Sequence, residues 1–217
     1  MGLLWTKRDF LRYVITPQDD SGGLPSHIWV RKEAFMFQKD YWISSFKKLK
    51  DTKYLALIAI FIAMKTIVSM YVIPVSDNLH IAFTFLFVAV ESSIIGPVAA
   101  IVSGAITDII SFIAFPKGPF FFGYTLSSML GSFIYALFFY RTKITFPKIL
   151  CAKALVNYGV NVLLGSLWSK MLYSKGYLYY ASTSLIKNTL LLPIEVIALY
   201  FIFRYLTPYL KKRGCNE

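Results

Sequence analysis

The stretch DIISFIAFPKGPFFFGY, residues 108–124, carries the features on which the interpretation of the whole chain depends. A carboxylate, Asp108, lies in a long apolar segment that ends at a Pro-Lys-Gly-Pro turn and a cluster of aromatic residues. An ionisable side chain inside a hydrophobic span is energetically costly, so it usually marks a functional site. The turn brings together a cation, exposed backbone groups and flat aromatic faces, which are the components of a small-molecule pocket.

The composition around this stretch is that of a membrane protein. Of the 217 residues, 57% are hydrophobic and only 16% are charged, with a mean hydropathy of +0.58. Soluble domains carry about 25% charged residues. Several apolar runs are long enough to cross a bilayer, and helices are the structure expected there because each helix satisfies its own backbone hydrogen bonds. The sequence therefore predicts an all-α integral membrane protein.

The net charge of +12 reflects basic flanks and does not indicate nucleic-acid binding. Of 23 Lys and Arg residues, ten lie in residues 1–53 and three in residues 211–213. Basic ends beside apolar spans are typical of cytoplasmic segments near anionic lipid. The sequence contains no phosphate-binding GxxxxGK[ST] loop, no HExxH or GxSxG motif and no Cys/His cluster. We therefore expect neither an enzyme nor a cofactor or metal site, and we expect Cys151 and Cys215 to be reduced thiols without a function.

Six transmembrane helices are predicted by the apolar runs, at about 54–73, 80–94, 98–114, 121–140, 149–172 and 186–207. An even number of spans places both termini on one side, and the positive-inside rule makes that side cytoplasmic. The connecting loops at 74–79, 115–120 and 173–185 then face outside. The predicted turn after Asp108 thus opens outward.

The chain divides into three predicted regions. Residues 1–52 form a basic cytoplasmic arm, either a loosely ordered tail or an amphipathic segment lying on the membrane, with Met36 as an alternative start. Residues 53–210 form the six-helix membrane domain, and residues 211–217 form a basic cytoplasmic tail.

Polar side chains in the predicted outward half are candidates for a ligand site. Asp108 could accept hydrogen bonds from a ligand, or it could pair with the buried cation Lys65. Lys187 could bind an anionic group, although snorkelling to the interface is the alternative. Asn188 can donate and accept hydrogen bonds, which suits the edge of a heterocycle. Glu195 is expected to pair with Lys65 or another polar group rather than to carry protons.

Three segments of the sequence together carry a family resemblance. The first runs from Asp108 to Tyr140 and includes the FPKGP turn, the GYTLS helix start and the IYALF ending. The second is LIKNTLLLPIE, residues 185–195, and the third is Ala59-xxx-Ala63. These segments resemble the folate-specific S components of energy-coupling factor (ECF) transporters. In that family an alanine motif at the position of Ala59 and Ala63 contacts the coupling subunit.

The resemblance implies the S-component fold and a high-affinity vitamin site open to the outside of a prokaryotic plasma membrane. It implies as partners folate or a related pterin, an ECF transmembrane coupling subunit and two ATP-binding subunits, with the bilayer as surroundings. Two alternatives stay open. One is an S component for another flat vitamin such as riboflavin, thiamine or a pyrimidine precursor, and the other is a membrane scaffold that transports nothing.

The predicted substrate-binding residues combine this resemblance with hydrogen-bonding, aromatic and cationic side chains at the outward end. They are Asp108, Phe115, Lys117, Phe120, Tyr124, Asn161, Trp168, Lys187 and Asn188. Trp168 is expected either to stack on a flat ligand or to belong to the interfacial aromatic belt. The predicted partner-docking residues are Ala59 and Ala63. The chain departs from the family at Ser184, where an Arg is common, so that Lys187, Lys117 or Lys170 would have to supply the charge.

Overall fold

A computed structural model describes most of the membrane domain. It covers residues 39–71, 73–76, 79–81, 83–116, 120–173 and 176–212. Residues Gln38–Glu217 form one compact unit, and its architecture is given below. Most of the predicted N-terminal arm, including Met36, lies outside the described residues, as do Lys117 and Cys215.

The described part is helical apart from one short hairpin. The helices are α1 (Lys39–Lys48), α2 (Thr52–Met70), α3 (Thr84–Ile95), α4 (Pro97–Ala114), α5 (Phe122–Phe139), α6 (Phe146–Ala154), α7 (Gly165–Leu172) and α8 (Tyr177–Lys212). A π-helical segment, Leu155–Leu164, joins α6 to α7 in one continuous span. The antiparallel strands β1 (Ile73–Ser76) and β2 (Leu79–Ile81) occupy the connection that was predicted as a loop at 74–79.

Within the described residues, five helices are long and apolar enough to cross a membrane. They correspond to the first, third, fourth, fifth and sixth predicted spans, and this confirms a multi-pass helical membrane protein. The predicted second span is a shorter apolar helix, α3, of 12 residues. At 1.5 Å per residue α3 is about 18 Å long, which is less than the ~30 Å hydrocarbon core of a bilayer.

The last helix begins earlier than expected. Residues 173–185 were predicted as a polar outer loop, whereas α8 already starts at Tyr177. The polar side chains fit into the helix because the hydroxyls of Ser182 and Thr183 donate to the Tyr179 carbonyl, at 3.0 and 2.9 Å. The helix also continues through Pro193.

The junction between α3 and α4 is held by a side chain from α1. Gly96 ends α3 with a φ of +85°, and a Cβ there would lie 2.9 Å from Ser45 and from the Tyr140 ring. Pro97 then starts α4, where its missing N–H costs nothing. The Ser45 hydroxyl accepts from the Val98 backbone N–H at 3.0 Å and donates to the Ile95 carbonyl at 3.1 Å. Ser45 therefore caps a helix with which it is not contiguous in sequence.

Helix α1 is thus a packed element within the segment that was predicted to be an N-terminal arm. Tyr41 is 1% exposed, and its hydroxyl donates to the Ala136 carbonyl of α5 at 3.3 Å. Burial raises the pKa of Tyr41 well above its usual value. The Lys48 ammonium group donates to the Ile94 carbonyl at 2.5 Å. Residues 39–48 consequently belong to the same unit as the membrane helices.

Two apolar clusters form the core of the bundle. One joins α2, α3 and α4 to the second half of α5, around Ile58, Ile95 and Ala136. The other joins α3, α5, the fifth span and α8, around Phe139 and Leu199. Polar residues are found beside the second cluster, where α3, α5, the fifth span and α8 surround a cavity.

Candidate functional site

A cavity of about 440 Å³ lies between α3, α5, the fifth span and α8. This volume is in the range of small-molecule sites, about 300–1,000 Å³. Its lining is mixed polar and apolar: Thr84, Phe85, Tyr124, Ser127, Lys153, Val160, Asn161, Gly165, Ser166, Ser169, Tyr180, Thr183, Ser184, Lys187, Asn188, Leu191 and Glu195. We call it the main cavity. Its outer end is the one nearest the α7–α8 connection, and its inner end is the one at Lys153 and Glu195.

The inner end contains a buried ion pair. The Lys153 ammonium group lies 3.1 Å from a Glu195 carboxylate oxygen, and the two side chains are 3% and 13% exposed. The other Glu195 oxygen accepts from the Asn157 amide at 2.8 Å. Lys153 also lies 4.0 Å from the centre of the Phe85 ring, a cation–π contact. These partners hold the Glu195 carboxylate in the wall of the main cavity.

A chain of amides continues from this ion pair toward the outer end. The Asn161 amide lies 3.4 Å from the side-chain oxygens of both Asn157 and Asn188. The Asn188 amide group donates to the Ser184 carbonyl at 2.8 Å. The π-helical segment positions Asn157 and Asn161, and π-helical turns are frequent at functional sites. Held in this way, the amides present fixed donors and acceptors to a bound molecule.

The outer part of the main cavity is cationic. Lys187 lies eight residues before Glu195 on α8, and this spacing corresponds to about 12 Å along the helix. Within the described part of the chain, no carboxylate lies at ion-pair distance from Lys187. Because Glu195 balances the charge of Lys153, the further charge of Lys187 gives the described part of the cavity a net positive charge. The arrangement favours a molecule with an anionic group at the outer end of the cavity and a neutral, hydrogen-bonding group at its inner end.

Four predicted binding residues line the main cavity: Tyr124, Asn161, Lys187 and Asn188. Ser184, the position at which the resembled family often has Arg, lines it too and hydrogen-bonds to Asn188 at 3.2 Å. Three lysines were considered as substitutes for that Arg, and Lys187 is the one found in the described cavity lining. Lys170 is exposed and is not part of the described lining, and Lys117 lies outside the described residues.

The other predicted binding residues lie away from the described lining. Trp168 is not part of the described lining, but its indole N–H donates to the hydroxyl of the lining residue Ser127 at 2.9 Å. A Cβ at Gly123 would lie 2.6 Å from the Trp168 ring, so glycine permits this close approach. Phe115 directly follows the last residue of α4, and Phe120 packs on Phe112 with ring centres 5.0 Å apart.

Asp108 lies between α4 and α5, where it accepts from the Thr125 hydroxyl at 2.7 Å. It is half-buried and is not part of the lining that the described residues form. The alternative that Asp108 pairs with Lys65 is wrong. Lys65 pairs with Glu91 at 2.5 Å, with the two side chains 1% and 2% exposed, since α2 packs against α3 and α4 at this level.

Glu195 also has a partner other than Lys65, because its oxygens are held by Lys153 and Asn157. Lys153 is the residue that the sequence interpretation missed. It is an ionisable side chain inside an apolar span, and it stands at i, i+4 and i+8 with Asn157 and Asn161. This stripe was a usable signal for a polar helix face. Ser166, which is 2% exposed and lines the cavity without a described hydrogen-bond partner, had no such signal.

The predicted docking residues lie on an open surface. Ala59 and Ala63 are exposed on α2, beside the exposed side chains of Ile60 and Ile67. This face is apolar, and the side chains at its centre are small enough for another helix to approach closely. In the described part of the chain, no group of three His, Cys, Asp or Glu side chains could hold a metal ion.

Two curated folate transporters resemble the chain over most of their length. The folate transporter FolT of Clostridium novyi (strain NT) is 29% identical over 152 residues, which cover 70% of this chain and 88% of that protein. The folate transporter FolT of Leuconostoc mesenteroides subsp. mesenteroides is 29% identical over 167 residues, which cover 74% of this chain and 88% of that protein. No family model matches the chain.

The fold resembles a solved structure, described as the crystal structure of FolT bound with folic acid. The TM-score is 0.65 and the sequence identity 31%, over 70% of this chain and 93% of that one. The sequence and the fold of this chain thus both match a known FolT chain over nearly the whole length of that chain. We conclude that this chain belongs to the FolT family, the folate-specific S components.

Proposed function

We propose that this protein is the high-affinity, membrane-embedded binding subunit for folate uptake and delivers its ligand to an ATP-driven ECF module. The observation that carries the proposal is the main cavity, which has a cation at its outer end and fixed amides and a carboxylate at its inner end. A related protein of the same fold is described as bound with folic acid. Folate has the matching polarity, because its glutamate is anionic and its pterin is a neutral, hydrogen-bonding heterocycle.

The pterin of folate fits the inner part of the cavity chemically. Its ring N–H and amino group form a donor edge, and Glu195, Asn161 and Asn188 offer acceptors. The Tyr124 ring can stack on a flat ligand, which contributes about 0.5–1.5 kcal/mol beyond area burial. The glutamate carboxylates would lie near Lys187. We propose that the FPKGP turn, which contains the predicted binding residue Lys117, forms the rim of the cavity.

We place the protein in a prokaryotic plasma membrane with six crossings, both termini in the cytoplasm and the main cavity open to the outside. The basic residues at 211–213 and in the 141–148 connection support this orientation. Helix α3 would be the short second crossing. Its residues Ala89 and Ile95 are fully buried among neighbouring helices, so a short helix need not span the lipid by itself.

The energy for transport would come from partners. The sequence contains no Walker-type nucleotide-binding loop, so we propose that two ATP-binding subunits and a transmembrane coupling subunit supply it. The coupling subunit would dock on the face of α2 that carries Ala59 and Ala63. Exposed Ile60 and Ile67 extend the same apolar surface.

Folate binding is tested by titrating the purified full chain and following tryptophan fluorescence. Trp168 is hydrogen-bonded to Ser127, which lines the main cavity, so a ligand bound there should quench the fluorescence of Trp168. A thermal-shift panel with folate, riboflavin, thiamine and a pyrimidine precursor identifies the ligand. A true ligand at 100 times its Kd stabilises the protein by about 2.7 kcal/mol. Stabilisation by another vitamin alone would reassign the specificity, and no response to any compound at micromolar concentration would favour a scaffold.

The docking face is tested by replacing Ala59 and Ala63 with Trp. We expect the double variant to lose co-purification with the coupling subunit, because bulky rings prevent close helix approach. Folate binding should remain, since neither alanine lines the main cavity among the described residues. Leu190→Trp, at a 64% exposed position of α8, is the matched control and should assemble normally. Assembly of the double variant would show that the partner docks elsewhere.

A further inference from the structure

A second space of about 200 Å³ continues from the main cavity into the bundle, and we call it the inner compartment. It shares Phe85, Ser127, Lys153, Val160 and Asn161 with the main cavity. On α5 its lining continues from Ser127 to Tyr135, and this spacing corresponds to about 12 Å along the helix. The two spaces are therefore successive parts of one site.

The inner compartment is narrow and mostly apolar. Val88, Val156 and Phe85 line it, and α5 contributes Ser128, Ser132 and Tyr135. The Ser128 hydroxyl donates to the Gly104 carbonyl of α4 at 2.9 Å, so it is already satisfied. A flat ring can be accommodated in such a space. A carboxylate would be disfavoured, because the Lys153 charge is already neutralised by Glu195 at 3.1 Å.

Tyr135 is the unexplained polar group of this compartment. Its side chain is 2% exposed, and its buried hydroxyl has no hydrogen-bond partner in the part of the chain that the structure describes. A buried hydroxyl without a partner is energetically costly, so such groups in native proteins usually serve a purpose. Gly131, one helical turn earlier on α5, leaves room beside it, since a Cβ there would lie 4.0 Å from Val156.

We propose that the inner compartment is a subsite for the flat, uncharged head of the ligand, and that the Tyr135 hydroxyl donates a hydrogen bond to a ring nitrogen or carbonyl oxygen of that head. This inference rests on the proposed function, in which the head is the pterin of folate. Asn161 lines both spaces, so it meets the head at the junction. The anionic end stays in the main cavity near Lys187.

The proposal is tested with Tyr135→Phe in the full-length protein, using folate and p-aminobenzoyl-glutamate, a fragment without the pterin. We expect Tyr135→Phe to weaken folate binding about 2- to 10-fold, the effect of one hydrogen bond. Binding of the fragment should not change. The ligand-free variant should melt at the same or a higher temperature than the original protein, because the unpartnered hydroxyl is gone. A purely structural role of Tyr135 would instead lower the melting temperature and weaken both ligands.

Tyr158→Phe is the matched control. The Tyr158 hydroxyl lies 3.1 Å from the Thr189 hydroxyl and outside both spaces, so its removal should not change folate affinity. Unchanged folate binding by Tyr135→Phe, or equal weakening by the two variants, overturns the proposal. If the fragment binds too weakly to measure, the difference between the two variants toward folate decides alone.

Filling the space gives a second, independent measurement. Gly131→Leu should place a side chain in the inner compartment and weaken folate binding by more than Tyr135→Phe does. Gly159→Leu is its control, because a Cβ there meets Leu155 at 3.9 Å and Gly159 lines neither space. Normal folate binding by a folded Gly131→Leu variant would overturn the proposal. Absence of folate binding by the unmodified protein would overturn the proposed function, and the inference with it.

Discussion

Single substitutions at the Lys153–Glu195 ion pair are expected to destabilise the protein strongly, whereas the double variant Lys153→Met/Glu195→Leu should fold but bind folate poorly. The two side chains are 3% and 13% exposed, so removing one leaves a buried charge without its partner. Such a change typically costs about 3–5 kcal/mol. Replacing both residues by apolar ones removes the charge and most of that cost.

Binding should not recover with stability, since the double variant lacks the carboxylate at the inner end of the main cavity. One hydrogen bond to a charged group contributes about 1.5–3 kcal/mol, so we expect folate affinity to fall roughly 10- to 150-fold. Melting temperature and folate titration of the three variants measure the two effects separately. Wild-type affinity in a folded double variant would show that this ion pair is structural and does not contact the ligand.

At the Lys65–Glu91 ion pair, we expect the substitutions to change stability without changing folate binding. These side chains are 1% and 2% exposed, and the Ser103 hydroxyl, which lies 3.0 Å from the Lys65 ammonium group, also donates to Glu91 at 2.5 Å. Lys65→Met or Glu91→Leu alone should destabilise the protein by about 3–5 kcal/mol, because a buried charge remains. The double variant should recover most of the lost stability.

In this second double variant, folate affinity should also stay within about twofold of the original, because the described lining of the main cavity contains neither residue. The two ion pairs thus serve as controls for each other. Both doubles restore stability, and only the one at the cavity loses binding. Weak folate binding by a stable Lys65→Met/Glu91→Leu variant would mean that this pair shapes the site from a distance.

The helical spans were predictable because hydrophobic length is a local property of the sequence. The third and fourth predicted spans, 98–114 and 121–140, match α4 and α5 within one residue at each end. Gly96, Pro97 and the FPKGP turn interrupt the apolar runs there, and each acts on its own backbone. Helix α8 was harder to delimit, because Ser182 and Thr183 appear loop-forming until their hydroxyls bond back to Tyr179.

Partners of the intramembrane charges were not predictable in the same way. Lys65 had two candidate carboxylates, Asp108 and Glu195, and it pairs with neither. Which charges meet depends on which helices are neighbours and on their relative rotation, and a hydropathy pattern contains neither quantity. The cap that Ser45 provides for α4, more than 50 residues away, is likewise a contact between distant segments.

From its sequence alone, this protein is a multi-pass helical membrane protein with ionisable and polar residues inside its spans and the motifs of one transporter family. Those features follow from local composition and order. The tertiary structure decided which polar residues share a site. It placed Asp108 against Thr125, away from the described cavity wall, and brought Lys153 and Glu195 together at its inner end. The physical reason is that a buried charge must find a partner, and only the packing of the helices determines which partner is within reach.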